Sequence, residues 1–157
     1  MITISEVVFE NASCFKVSND RLSLWLAKDF GPRILGLSLD GMDNLMVVLP
    51  EAKIPVDGAD DYSLRGGHRL WYGPEEPLTT YIADDLPAEI TQNEDGVEIV
   101  QPLDKPTGIQ KSIKISLDET DALVRVDHKL ENLGKADFEL APWAITMLRV
   151  GGTGSIP

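Results

Sequence analysis

The residues with the greatest capacity for chemistry lie in one short stretch, RGGHRLWYGPEE, which runs from Arg65 to Glu76. A histidine titrates near neutral pH and can exchange a proton with a substrate. Arginine offers forked donors to hydroxyls and carboxylates, and tryptophan and tyrosine offer flat surfaces to the apolar face of a ring. Flat rings, donors and carboxylates in one place suit a polyhydroxylated ligand. A sugar-binding site is therefore one of two interpretations of this stretch.

Several residues of this stretch would have a role in such a site. Gly66 and Gly67 allow a sharp backbone turn, which would present His68 to a cavity. His68 is then the candidate acid, and Glu75 is the candidate base. The candidate ligand contacts are Arg69, Trp71 and Tyr72. In the alternative interpretation the tryptophan plugs one end of a sandwich, while the histidine and arginine satisfy loop carbonyls. Residue types alone leave both interpretations open.

Three residues outside the stretch have side chains that matter for the same question. His128 lies on the apolar face of an alternating run, which favours a hydrogen-bonded core histidine unless that face opens onto the same cavity. Trp143 is either a core residue, as its periodicity favours, or a further platform for a ligand. Cys14 lies in an alternating run, which favours a buried structural thiol over a nucleophile.

In the rest of the chain, most segments alternate apolar and polar residues, as β-strands do. These predicted strands must position the candidate residues. Short polar turns such as LDGMDN, NEDG and NLGKAD separate the runs, and short connections imply antiparallel pairing. The sequence therefore predicts a single all-β domain over residues 1–157, an antiparallel β-sandwich. The runs are RLSLWLA at 21–27, RILGLSL at 33–39, GIQKSIKISL at 108–117, ALVRVDHKLEN at 122–132 and the extended FELAPWAITML at 138–148.

One segment lacks this alternation of apolar and polar residues. Residues 50–77 are rich in turn-forming residues and show no clear period. Long connections without regular structure are uncommon in compact domains and are usually functional or disordered. The aromatic residues argue against disorder, so we expect a long ordered loop that crosses one end or face of the sandwich.

Composition excludes several classes of function. The net charge of −12 disfavours binding to nucleic acid or to anionic membranes. With two histidines and one cysteine, the 157-residue chain has too few nitrogen and sulfur ligands for a zinc site, and we expect no metal and no cofactor. The first residues lack the features of a signal peptide, and no run approaches the length of a membrane helix. We therefore expect a cytoplasmic protein.

The order of three motifs resembles a known family. GPRILGLSL is followed by the glycine-rich GGHRLW and then by VRVDHKLENLG. Together they resemble the N-terminal half of the galactose mutarotase-like superfamily, which includes the aldose 1-epimerases. The resemblance implies half of a β-supersandwich and a sugar ligand. GGHRLW with its following GPE, together with APWAITML, is most similar to an uncharacterised branch of that superfamily.

The resemblance also implies roles for individual residues. His68 matches the first histidine of the family pattern, which helps to hold the sugar, and Arg33 and Arg69 lie where polar contacts to a substrate form. In the epimerases a carboxylate and a histidine open and close the sugar ring. This sequence has Pro142 and Trp143 where the second histidine of the family stands. The family's catalytic glutamate lies in its C-terminal half, so Glu75 would have to replace it.

Three hypotheses of function follow. The first is a carbohydrate-binding protein of mutarotase-like fold, the second an epimerase-like isomerase that uses His68 and Glu75, and the third a structural or interaction domain without a ligand. The chain has roughly half the usual family length, and half a supersandwich leaves strand edges and an apolar face open. We therefore expect either a homodimer or a fragment of a longer protein.

Overall fold

The computed structural model describes residues 2–93 and 96–153, and strands make up nearly all of its regular structure. Two positions of the predicted NEDG turn, 94 and 95, lie outside the described residues. The elements in chain order are β1 (Thr3–Phe9), β2 (Ala12–Ser18), β3 (Leu22–Ala27), β4 (Arg33–Leu39), β5 (Val48–Ile54), β6 (Tyr62–Gly66), β7 (His68–Gly73), α1 (Pro77–Thr80), β8 (Glu89–Asn93), β9 (Gly96–Val100), β10 (Ile109–Leu117), β11 (Val124–Asn132) and β12 (Ala141–Thr146).

The strands form three antiparallel sheets. A six-stranded sheet has the order β1-β2-β3-β4-β7-β12, a four-stranded sheet has the order β11-β10-β9-β8, and β5 pairs with β6. The main core lies between the two larger sheets and contains leucines of β3 together with isoleucines of β9 and β10. The predicted all-β sandwich is confirmed.

Period-two alternation explains how the core forms. Leu22, Leu24 and Leu26 of β3 are buried, whereas the residues between them are half-buried. Ile113 and Ile115 of β10 meet them from the other sheet within one core cluster. Burying each such side chain contributes about 1.5–3 kcal/mol to the free energy of unfolding. The side chains that alternate in the sequence are therefore the ones whose burial between the sheets stabilises the fold.

The prediction for residues 50–77 is wrong, because this segment is built largely of strands. It holds most of β5 and all of β6 and β7, and α1 begins at its end. The small β5–β6 sheet packs on the outer face of the six-stranded sheet, where Val56, Tyr62 and Trp71 form an apolar cluster separate from the main core. Strand β7 is therefore buried on both faces. A strand covered on both faces has no need to alternate, so it leaves no period-two signal.

A glycine pair joins the small sheet to the large one. Arg65, Gly66 and Gly67 have φ angles of 55°, 77° and 68° in succession. A Cβ at Gly66 would lie 2.2 Å from the carbonyl oxygen of Val47, and one at Gly67 would lie 2.2 Å from that of Ile34. The backbone turn expected from these glycines is therefore present, and it carries the chain from β6 into β7.

One side of the sandwich has two open edges. Strand β12 ends the six-stranded sheet, and β11 ends the four-stranded sheet. Most residues of β12 are exposed, including Ala144 and Thr146, although both point toward the interior between the sheets. Among the residues that the structure describes, no helix has the length and apolarity required to cross a membrane.

Candidate functional site

Strand β7 divides the predicted site residues between two faces of the sheet. Leu70 belongs to the core between the sheets, so His68 and Tyr72, two positions to either side, face that core as well. Arg69 and Trp71 face the opposite way, where Trp71 contacts Tyr62 of β6. The stretch therefore contributes to two separate groups of side chains. We call the group that contains His68, on the inner face, the inner histidine pair. We call the group that contains Arg69 and Trp71, on the outer face, the outer platform.

The inner histidine pair consists of His68 and His128, which meet across the two sheets. Their Nε2 atoms lie 2.7 Å apart, so one nitrogen donates a hydrogen and the other accepts it. The Nδ1 atom of His68 also shares a hydrogen bond of 2.8 Å with the hydroxyl of Thr146. A neutral His68 satisfies both contacts in either tautomer, because the Thr146 hydroxyl and the His128 ring can each donate or accept. His128 is thus hydrogen-bonded and faces the core, as its place in the alternating run predicts.

The surroundings of this pair favour the uncharged imidazole. Burial, together with charge repulsion from His128, Arg33 and Arg69, lowers the pKa of His68 to about 4. Burial also lowers the pKa of His128, although the neighbouring Asp127 opposes that change. Both rings are therefore neutral at physiological pH. His68 in this state is a hydrogen-bonding group that holds β7, β11 and β12 together.

Tyr72 is the second predicted contact that faces inward. Its hydroxyl donates a hydrogen bond of 3.5 Å to Thr107, and the ammonium group of Lys111 lies 5.7 Å from its ring centroid. Lys111 in turn pairs with the buried Asp104 at 3.2 Å. Tyr72 is therefore packed among buried polar groups of the sandwich.

Arg33 lies on the outer side, where its guanidinium makes four hydrogen bonds to protein groups. Its Nη1 donates to the carbonyl oxygens of Leu64 and Gly66, at 2.9 and 2.8 Å. Its Nη2 donates to Asp84 at 2.6 Å and to the hydroxyl of Tyr62 at 3.0 Å. The side chain is fully buried. Arg33 therefore fastens β6 and the segment around Asp84 to β4.

The outer platform is an aromatic group made of Trp71, Tyr81 and Trp143. Trp71 is buried and lies edge-on to both other rings, with centroids 5.0 Å from Tyr81 and 5.4 Å from Trp143. Its indole nitrogen donates to the Tyr62 hydroxyl at 3.1 Å. Trp143 is 36% exposed and lies directly opposite Trp71 in the β7–β12 ladder. The platform thus presents one indole to solvent on a fixed aromatic base.

Arg69 completes the outer platform. Its guanidinium lies 4.0 Å from the ring centroid of Trp71. Its Nη1 donates to the sulfur of Met147 at 3.4 Å, and its Nε has no hydrogen-bond partner. Burial lowers the pKa of this arginine. The positive charge of Arg69 is therefore held in a buried place by a ring and a thioether.

Glu75 lies beyond the end of β7, beside the outer platform. It is exposed and accepts a short hydrogen bond from the hydroxyl of Tyr81. That hydrogen bond raises the pKa of Tyr81. Within the described part of the chain, no hydrogen bond links Glu75 to His68. The candidate acid and the candidate base thus belong to different groups.

The sequence interpretation missed Tyr62, Tyr81 and Asp84. Asp84 pairs with Arg33 inside the protein, and the two tyrosines surround Trp71. These residues lie in irregular or doubly buried segments, where no periodic signal marks them. The usable signal was chemical, because a buried arginine requires a carboxylate, and DD at 84–85 follows shortly after α1.

Comparisons with known proteins assign no family to this geometry. No family model matches the sequence, and no characterised protein is significantly similar to it. Among the described residues, no group of three or more His, Cys, Asp or Glu side chains could hold a metal ion.

Proposed function

We propose that the protein binds a carbohydrate on the outer platform. One observation carries this proposal: Trp143 presents a partly exposed indole on the buried ring of Trp71. The apolar face of a sugar ring packs against such a surface. A tryptophan held from behind by other rings loses little side-chain freedom when a ligand binds, which favours affinity.

Polar groups around the platform suit the hydroxyls of a sugar. Arg69 supplies donors next to Trp71, and Glu75 supplies an acceptor next to Tyr81. The resemblance of GGHRLW and VRVDHKLENLG to the galactose mutarotase-like superfamily supports the same class of ligand. In this proposal Trp143 and Arg69 contact the ligand and Trp71 supports Trp143 from behind, whereas His68, Tyr72 and Arg33 hold the scaffold.

We propose binding in preference to epimerase catalysis for a geometric reason. Ring opening needs an acid and a base on the same sugar, within hydrogen-bond reach of it. His68 is bonded within the inner pair, and Glu75 is bonded to Tyr81 on the outer side. Polarimetry on freshly dissolved glucose and galactose separates the two hypotheses. Mutarotation faster than in buffer, and lost in His68→Gln, would establish the epimerase.

The direct test is calorimetric titration with a panel of monosaccharides and oligosaccharides. We expect Trp143→Ala to weaken binding by about tenfold, because the ring face loses its contact surface. Leu86→Ala is the matched control, since Leu86 is 62% exposed and lies outside the platform. Equal affinities for wild type and Trp143→Ala would contradict this placement of the site. If no saccharide binds at all, the protein is a structural or interaction domain.

A further inference from the structure

Arg69 differs from the other deeply buried cations that the structure describes. Arg33 pairs with Asp84 at 2.6 Å, and Lys111 pairs with Asp104 at 3.2 Å. Arg69 is only 4% exposed, yet no carboxylate lies within ion-pair distance of it in the described residues. Its contacts are the ring of Trp71 and the sulfur of Met147. A buried charge without a counter-charge is costly unless a ligand compensates it.

The charged groups near Arg69 support the same conclusion. Asp84 is a buried carboxylate of the outer side; its Oδ2 is bonded to both Arg33 and Tyr62, and its Oδ1 has no hydrogen-bond partner. Arg33 and Asp84 form an ion pair, so among the buried charged groups of the outer side Arg69 is the positive charge without an ion-pair partner. The chain as a whole carries −12. A buried cation that has no ion pair among the described residues is therefore a candidate recognition element for an anion.

The contact to Met147 is the one that a ligand can displace. A thioether is a weak acceptor, and a methionine side chain is flexible. The backbone of Met147 is fixed, because its amide donates to Gly67 at 2.9 Å and its carbonyl accepts from Val47 at 3.0 Å. Only the side chain has to rotate to open Nη1 of Arg69.

We propose that the bound saccharide is an acidic sugar whose carboxylate pairs with Arg69 in place of the Met147 sulfur, while its ring lies against Trp143. This inference rests on the proposed carbohydrate function. A planar carboxylate matches the edge of a guanidinium, and one negative charge balances the one charge that is unpaired. A phosphate would bring a second negative charge close to Glu75, which lies beside Tyr81 of the platform.

The first test uses the native protein and a change in the ligand alone. Calorimetric titrations compare glucuronate and galacturonate with their methyl esters, with glucose and galactose, and with glucose 6-phosphate. We expect each acid to bind about tenfold tighter than its ester, because a hydrogen bond to a charged group is lost on esterification. The preference should shrink as salt is raised, since it is electrostatic.

Variants then assign the preference to Arg69. We expect Arg69→Gln to bind acid and ester equally and Arg69→Lys to retain part of the preference for the acid. Arg125→Gln is the matched control, because Arg125 is exposed and paired with Asp127 at 2.9 Å. Circular dichroism checks that each variant is folded. If Arg69→Gln does not fold, the ester comparison on native protein still tests the proposal.

The outcomes separate this inference from the proposed function. Neutral sugars that bind as tightly as the acids, with unchanged affinity in Arg69→Gln, overturn the inference and leave the carbohydrate function standing. Binding of no saccharide overturns both. Glucose 6-phosphate binding tighter than either acid overturns the assignment to a carboxylate, because the anion site would then select phosphate.

Discussion

The inner histidine pair and the outer platform lie back to back on the same strand, and they differ in how completely the protein satisfies them. Both ring nitrogens of His68 have partners within the fold. Arg69, the next residue, holds its charge against a ring and a sulfur. A group whose polar atoms are all paired within the protein serves stability. A group left unpaired at a cost in stability is the better candidate for a ligand.

The largest effect should come from removing the carboxylate that compensates Arg33. We expect Asp84→Asn to lower the free energy of unfolding by about 3–5 kcal/mol, because it leaves Arg33 buried without a counter-charge. Urea denaturation measures this change. Asp85→Asn is the control, since Asp85 is half-exposed and its pair with Arg65 lies near the surface. Equal stabilities for the two variants would show that the outer side does not depend on the buried pair.

The next effect concerns pH and the inner histidine pair. Burial lowers the pKa of His68 from 6.5 to about 4, so between these values the unfolded chain binds a proton that the folded chain does not. The stabilising effect of the neutral pair is therefore complete above pH 6.5 and is lost as the pH falls toward 4. We expect a loss on the order of 3 kcal/mol across this interval.

Comparison with His68→Gln isolates this contribution from those of the carboxylates. Urea denaturation at several pH values should give a steep dependence for wild type and a flatter one for the variant between pH 6.5 and 4. The lowered pKa values of Asp118 and Asp127 affect both proteins alike and act mainly below this interval. Parallel pH profiles would contradict the account of the pair.

The smallest expected effect is self-association through the open side of the sandwich. Strands β11 and β12 are edges, and apolar side chains near them are exposed, among them Leu148 at 62%. We expect a weak homodimer in sedimentation equilibrium, which Leu148→Lys should dissociate because it places a charge at the edge. Val8→Lys is the control, since Val8 is 79% exposed on β1 at the opposite edge. A monomer at high concentration would refute the dimer.

The comparison also shows where sequence patterns were informative. The alternation of leucines in β3 and of isoleucines in β10 predicted those strands and their buried faces, and the structure confirms both. Period-two alternation did not predict β5, β6 and β7. The β5–β6 sheet covers β7 from outside, so both faces of that strand carry residues suited to burial.

The sequence by itself determined the β class, core strands such as β3 and β10, and the glycine turn, because period two and the tolerance of glycine for positive φ are local properties. Only the tertiary structure decided that His68 and Arg69 serve different surfaces, that Asp84 compensates Arg33, and that Trp143 stands on Trp71. Those facts depend on which distant segments meet, and a ladder places neighbouring side chains on opposite faces whatever their chemistry. A stretch rich in reactive residues can therefore form two unrelated groups when it folds as a strand.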